Sequence, residues 1–169
     1  MIAQAAAGSE AAFEMLVVPL ADAAYRLALT MLRDHAEAED AVQEATLKAW
    51  RKIHQVRTGM PVRPWFLAIT ANQCRSMRRQ RWRAILSLGP VERPQAPADD
   101  QVVRDADLRR ALAHLGDEER LAVYVFFYLD LPLEEAAAVL GLTVPAARSR
   151  IYRAARRLRP SLELDEVVS

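Results

Sequence analysis

From Arg148 to Arg159 the chain carries six arginines and no acid, with an apolar residue every three or four positions between them. Arginine presents a planar fork of donors that fits phosphate oxygens and guanine edges. Val144, Ala147, Ile151, Ala154 and Leu158 are spaced 3, 4, 3 and 4, the apolar stripe of a helix lying on a core. Arg148, Ser149, Tyr152, Arg153 and Arg156, spaced 1, 3, 1 and 3, form an adjacent stripe that is basic and rich in hydrogen-bonding groups. Just upstream, Leu133, Ala136, Ala137 and Leu140 give a short helix its own apolar face, and the two alanines permit a close crossing. Gly141 suits the helix end, Thr143 an N-cap and Pro145 a first turn. A short helix, a tight glycine turn and a second helix predict a helix-turn-helix, whose second helix enters the major groove of DNA. A helical hairpin with a solvated basic face would show the same charge run. The turn spacing, the absence of acids and the polar stripe together favour DNA.

A second basic run lies in "RPWFLAITANQCRSMRRQRWR", Arg63 to Arg83, where Arg75–Arg83 holds five arginines and no acid. Aromatic rings stack on unpaired bases and arginines hold phosphates. Asn72 can pair with a base edge. Trp65 and Ile69, with Phe66 nearby, are at helical spacing and fit a core equally well. Asn72, Arg75, Arg78, Arg79 and Arg83 are the better DNA candidates, and most of the aromatic area is expected to be buried.

Between Arg33 and Glu44 the sign of the charge reverses: five acids stand against one arginine. In "HAEAEDAVQEATLKAWRKI", His35 to Ile53, Val42, Ala45, Ala49 and Ile53 point towards a core. Asp40, Gln43, Glu44 and Leu47, spaced 3, 1 and 3, share another face. An acidic, partly apolar face repels DNA and suits a basic protein partner. A plain amphipathic helix with solvated acids is the alternative.

These segments need helices to carry them, and helical periodicity is what the chain shows; no strand alternation is convincing. Helices are predicted at about 10–33 with a possible kink at Pro19, then 36–53, 64–83, 103–115, 117–129, 133–140 and 144–158. The proline-rich "SLGPVERPQAPADD", Ser87 to Asp100, has no apolar periodicity and reads as a flexible linker. The expected architecture is all-α: two small helical domains, 1–86 and 103–169, joined by a linker at 87–102.

The 169 residues carry a net charge of +1, so segregation of charge is informative where the total is not. Of 23 basic residues only Lys48 and Lys52 are lysines. Codon composition in a GC-rich genome would raise arginine and alanine in the same way. A single cysteine, Cys74, excludes an internal disulfide; it reads as a small core residue or as a redox-sensitive thiol. His35, His54 and His114 match no compact metal spacing. The start has no secretory pattern, and no uncharged apolar run approaches 18 residues, so no membrane insertion is expected. No nucleophile–base pair, metal cluster or glycine-rich phosphate loop is visible, which predicts no enzymatic activity and no cofactor.

In combination, these segments resemble the bacterial sigma-70 family, extracytoplasmic-function (ECF, group 4) type. "AYRLALTMLRDHAEAEDAVQEATLKAW" is similar to regions 2.1–2.2, with the AED-x-x-Q-E signature at Ala38–Glu44. "RPWFLAITANQCRSMRRQR" resembles regions 2.3–2.4, and Leu115–Leu158 resembles region 4. The resemblance covers about Ala11 to Pro160. It departs at Ala71, where a basic residue often precedes the motif Asn, at Met60-Pro61, and at Ala147. These departures bear on the promoter sequence, not on the class.

The resemblance implies roles. Asp40, Gln43, Glu44 and Leu47 would contact core RNA polymerase at the β′ clamp helices, and the polymerase β flap is a further partner. Trp65, Asn72, Arg75, Arg78 and Arg79 would read the promoter −10 element, with the preceding loop, His54–Pro64, capturing a flipped base. Arg148, Ser149, Tyr152, Arg153 and Arg156 would read the −35 element. An anti-sigma factor is the expected regulator. The protein would act in the cytoplasm, at the nucleoid when in holoenzyme. The alternative is a helix-turn-helix repressor or activator that binds as a dimer without polymerase.

Overall fold

Ser9 and Asp34 open two of the helices. Ser9 accepts a hydrogen bond from the Ala12 amide (3.3 Å) and Asp34 from the Glu37 amide (2.9 Å), each satisfying a donor that the first helical turn leaves unpaired. In this computed structural model, which describes residues 1–57, 59–88 and 111–166, the N-terminal part is built from five helices. They are α1 (Ile2–Ala6), α2 (Glu10–Val17), α3 (Ala21–Leu32), α4 (His35–Lys52) and α5 (Val62–Leu88). The kink expected at Pro19 is a 3-10 turn, Val18–Leu20, that divides α2 from α3. Arg33, in the left-handed region at φ 56°, ends α3.

Helices α3, α4 and α5 pack on one another. Helix α4 presents alanines to this core: Ala38, Ala41, Ala45 and Ala49 are all fully buried. With no side chain beyond Cβ, they let α3 and α5 approach closely and leave the core volume to Leu27, Met31, Phe66 and Leu67. Val42, expected in the core, is half-buried at its edge, and Ala38 and Ala41 take the place given to it. Phe13 of α2 meets Trp50 of α4 edge to face, with ring centroids 5.1 Å apart.

The segment Glu10–Leu32 reaches the length and apolarity of a membrane span by composition, although Glu14, Asp22 and Arg26 interrupt it. Here the 3-10 turn breaks it, and Phe13, Val17, Leu27 and Met31 lie in the protein core.

Helix α5 runs to Leu88, past the expected end near Arg83 and into the segment read as linker. The chain divides into two units between Pro94 and Gln95. The rest of that linker, and most of the helix expected at 103–115, lie outside the described residues; 111–114 are helical.

The second unit contains α6 (Asp117–Val123), α7 (Leu133–Leu140) and α8 (Val144–Glu166). The single helix expected over 117–129 changes character at Tyr124: residues Tyr124–Tyr128 form a π turn, with the Leu129 amide bonded to the Tyr124 carbonyl. This turn leaves Phe127 and Tyr128 exposed while Tyr124 and Val125 stay buried. Periodicity at 3.6 residues cannot register such an insertion. The turn between α7 and α8 is as expected. Gly141 takes φ +67°, and the Leu142 amide reaches back to the Ala137 carbonyl at 3.0 Å, closing the helix end. Ala147, Ile151, Ala154 and Leu158 of α8 are buried, and Val144 is half-buried.

Candidate functional site

Helix α8 sorts its arginines by face. Arg148, Ser149, Tyr152, Arg153 and Arg156 are all exposed. Tyr152 is 64 % exposed, and the Arg156 guanidinium lies 6.0 Å from its ring centroid. Val144, Pro145, Arg148, Ser149 and Tyr152 line a shallow open depression at the start of the helix. Arg150 and Arg157 are paired with acids of their own unit. Arg150 lies 3.4 Å from Glu118, and Arg157 donates to Glu119 at 2.6 Å. Glu119 also accepts the Gly116 amide at 3.0 Å, at the start of α6. That amide, aided by Arg157 and Arg153, holds the Glu119 carboxyl below its ordinary value against the opposing effect of burial. Arg120 is buried; its guanidinium donates to the Leu115 carbonyl at 2.6 Å and to the Asp117 carboxylate. Three consecutive acids, Asp117–Glu119, thus anchor the back of α8 and the start of α6. The expected DNA stripe faces solvent with an excess of positive charge, which Glu119 offsets in part at Arg153.

Helix α5 divides in a similar way. Phe66, Leu67, Ala71 and Cys74 are fully buried, while Trp65 and Ile69 are only partly covered. The aromatic pair therefore splits: Phe66 is core, and Trp65 keeps an accessible edge. Asn72 is exposed, and its Oδ1 accepts from the Arg75 guanidinium at 2.9 Å. Arg75 and Arg78 are partly exposed and Arg79 fully so. Arg81, in the same run, pairs with Glu37 of α4 at 3.0 Å. In the segment His54–Pro64, Val56 before α5 and Pro64 in its first turn are buried and Met60 is exposed; Thr58 lies outside the described residues. Burial pushes the Cys74 thiol up to about 12, with the Arg75 and Arg78 charges opposing. A thiol so placed stays protonated, which favours the core role over the redox one.

On α4, Asp40, Gln43, Glu44 and Leu47 are all exposed on one side, opposite the buried alanines. Leu47 is 45 % exposed, an apolar patch inside an acidic surface. Lys48, next to it, donates to the side-chain amide Oε1 of Gln73 on α5, so the acidic face and the Asn72 surface are carried by directly bonded helices.

Sequence reasoning brought together every residue of these three surfaces but missed what sets them apart. Glu118, Glu119 and Glu37 pair with Arg150, Arg157 and Arg81; Arg150 and Arg81 are thereby partly covered, while Arg157 is paired yet exposed. Each pair spans more than thirty residues, and only the run of acids at 117–119 hinted at one.

Residues 16–84 match the family Sigma-70 region 2, and residues 105–158 match Sigma-70, region 4. The ECF RNA polymerase sigma factor SigE of Mycolicibacterium smegmatis is 34 % identical, over 93 % of this chain. The chain spans 65 % of that relative's length. The ECF RNA polymerase sigma factor SigL of Mycobacterium tuberculosis is 30 % identical, with 96 % of this chain and 95 % of SigL aligned. Among solved structures, the sigma factor RpoE of Bartonella quintana, in complex with the anti-sigma factor NepR, superposes with a TM-score of 0.77 at 28 % identity. That match covers 90 % of this chain and 98 % of RpoE. With both of its regions matched in order, and with a full-length relative of this similarity, the chain belongs to the sigma-70 family of RNA polymerase sigma factors, in the ECF group.

Proposed function

We propose that this protein is a promoter-specificity subunit, not an enzyme, that acts as part of a bacterial RNA polymerase holoenzyme. The observation that carries the reading is the sorting of arginines on α8. Arg150 and Arg157 are held by Glu118 and Glu119, while Arg148, Ser149, Tyr152, Arg153 and Arg156 face outward with no acid among them. A helix so arranged, following a short helix and a left-handed glycine, suits the major groove of the −35 element.

The surface of Asn72, Arg75, Arg78 and Arg79, with the Trp65 edge beside it, contacts the −10 element. Asn72 offers a base-edge donor and acceptor, and the arginines hold phosphates. The Asn72–Arg75 hydrogen bond orients the amide before DNA arrives. The α4 face of Asp40, Gln43, Glu44 and Leu47 docks on a basic helical surface of core polymerase, where the acids steer and Leu47 is desolvated. Each DNA contact alone has a small footprint. Core polymerase fixes both on one promoter and makes the binding effectively bivalent. Like RpoE, which was crystallised with the anti-sigma factor NepR, the chain is regulated by a protein that covers one of these surfaces.

The test is co-elution of the purified chain with bacterial core RNA polymerase on a sizing column, followed by mapping of transcripts from a library of upstream fragments. Stable co-elution, and start sites sharing two spaced elements, are expected. Failure to bind core, together with tight dimeric binding to duplex DNA, would replace this reading with that of a repressor.

A further inference from the structure

Helix α5 continues beyond the proposed −10 surface. Arg75, Arg79, Trp82, Arg83 and Leu86 follow one another at spacings of 4, 3, 1 and 3, and so share one side of the helix. The opposite side is tied down by the Arg81–Glu37 pair and by half-buried Ile85. On the open side Trp82 is 63 % exposed and Leu86 70 %. Tryptophan is among the residues that burial favours most by area, so a ring left in water at mid-helix calls for a partner. Its immediate neighbours on that side, Arg79 and Arg83, are both exposed, and no acid occurs from Arg75 to Arg83. An indole between two guanidinium groups suits a polyanion with flat faces, which is the chemistry of a nucleic-acid strand.

We propose that Trp82, with Arg79 and Arg83, is a further DNA-contacting group that extends the α5 surface onto DNA flanking the −10 element. The inference rests on the reading of Asn72 as a −10 contact. Ten residues separate Asn72 from Trp82. At about 1.5 Å per helical residue this is about 15 Å, or four to five nucleotide steps. The ring therefore meets DNA outside the bases reached by Asn72. It packs on a base or a sugar while Arg79 and Arg83 bind the adjoining phosphates. The contact contributes affinity at positions with little sequence preference, because every nucleotide presents such faces.

The experiment uses holoenzyme assembled from core polymerase and the full chain, titrated with labelled promoter fragments whose flank is either fully paired or unpaired. Trp82→Ala is expected to weaken binding at least about fivefold, and Trp82→Phe to restore most of it. Binding to core stays unchanged, and the melting temperature is unaffected because the ring is exposed. A loss confined to the unpaired flank identifies base stacking; a loss on both identifies packing on the sugar-phosphate backbone. Either supports the proposal. Asn72→Ala runs in parallel. If it weakens binding while Trp82→Ala does not, the proposal falls and the −10 reading stands. If neither matters, the −10 reading itself falls. A Trp82→Ala variant that binds core poorly would make this a polymerase surface and overturn the proposal.

Discussion

Arg153 and Arg150 are three residues apart on α8, and alanine should do opposite things at the two positions. Arg153 is exposed on the proposed DNA face, so its truncation takes almost nothing from the fold. If the guanidinium contacts a base, holoenzyme affinity for a −35 duplex falls by about 1–3 kcal/mol, roughly five- to 150-fold. Arg150 is half-buried, its side chain 26 % exposed, 3.4 Å from a Glu118 carboxylate that is itself 33 % exposed. An ion pair that water still reaches contributes about 0.2–1 kcal/mol. For a unit of this size that is a fall of a few degrees in melting temperature. DNA affinity of Arg150→Ala should stay within about twofold, since under 0.5 kcal/mol separates such values. The assays are thermal melting of the free protein and fluorescence titration of holoenzyme with promoter DNA at two salt concentrations. A DNA defect in Arg150→Ala equal to that of Arg153→Ala, with no change in melting, would refute the assignment of faces on α8.

Glu44→Arg should abolish co-elution with core polymerase while the circular dichroism spectrum and melting curve match wild type, because Glu44 is exposed on α4; normal assembly would remove the clamp-face assignment. Cys74 should resist alkylation by iodoacetamide at pH 8 in the native state and react once urea unfolds the chain, since its thiol is pushed up to about 12 by burial; rapid native labelling would refute that placement. The Glu119 carboxyl is held below its ordinary value by the Gly116 amide, so the stabilisation it gives is complete above the ordinary 4.5 and is lost as pH falls through the lowered folded value. Acid titration of unfolding should therefore be shallower below pH 4.5 in Glu119→Gln than in wild type, and identical slopes would count against the Gly116 contact.

Much of the design was legible in residue order because it depends on local geometry. Spacings of three and four placed Ala147, Ile151, Ala154 and Leu158 in the core, and all four are buried. The same spacings put Asp40, Gln43, Glu44 and Leu47 on the opposite side of α4 from its buried alanines, and all four are exposed. Gly141 marked a turn because a left-handed residue is needed there and glycine takes that conformation without strain. Pro19 marked the break between α2 and α3 because it cannot donate a helical hydrogen bond.

Other features were settled by packing between distant segments. Which arginines are paired with an acid depends on Glu37, Glu118 and Glu119, which lie more than thirty residues from their partners in the chain. The separation of Phe66 from Trp65 depends on where the α3 and α4 surfaces end, since both rings have helical spacing and either could have been covered. The π turn at Tyr124–Tyr128 is a change of register that no composition announces. Sequence by itself placed the central helices of both units with their buried stripes and the charge of their open faces; it did not register the short helix Ile2–Ala6 or the extension of the last helix to Glu166. Tertiary structure decided which charges are neutralised, because a salt bridge requires proximity that only the folded chain creates.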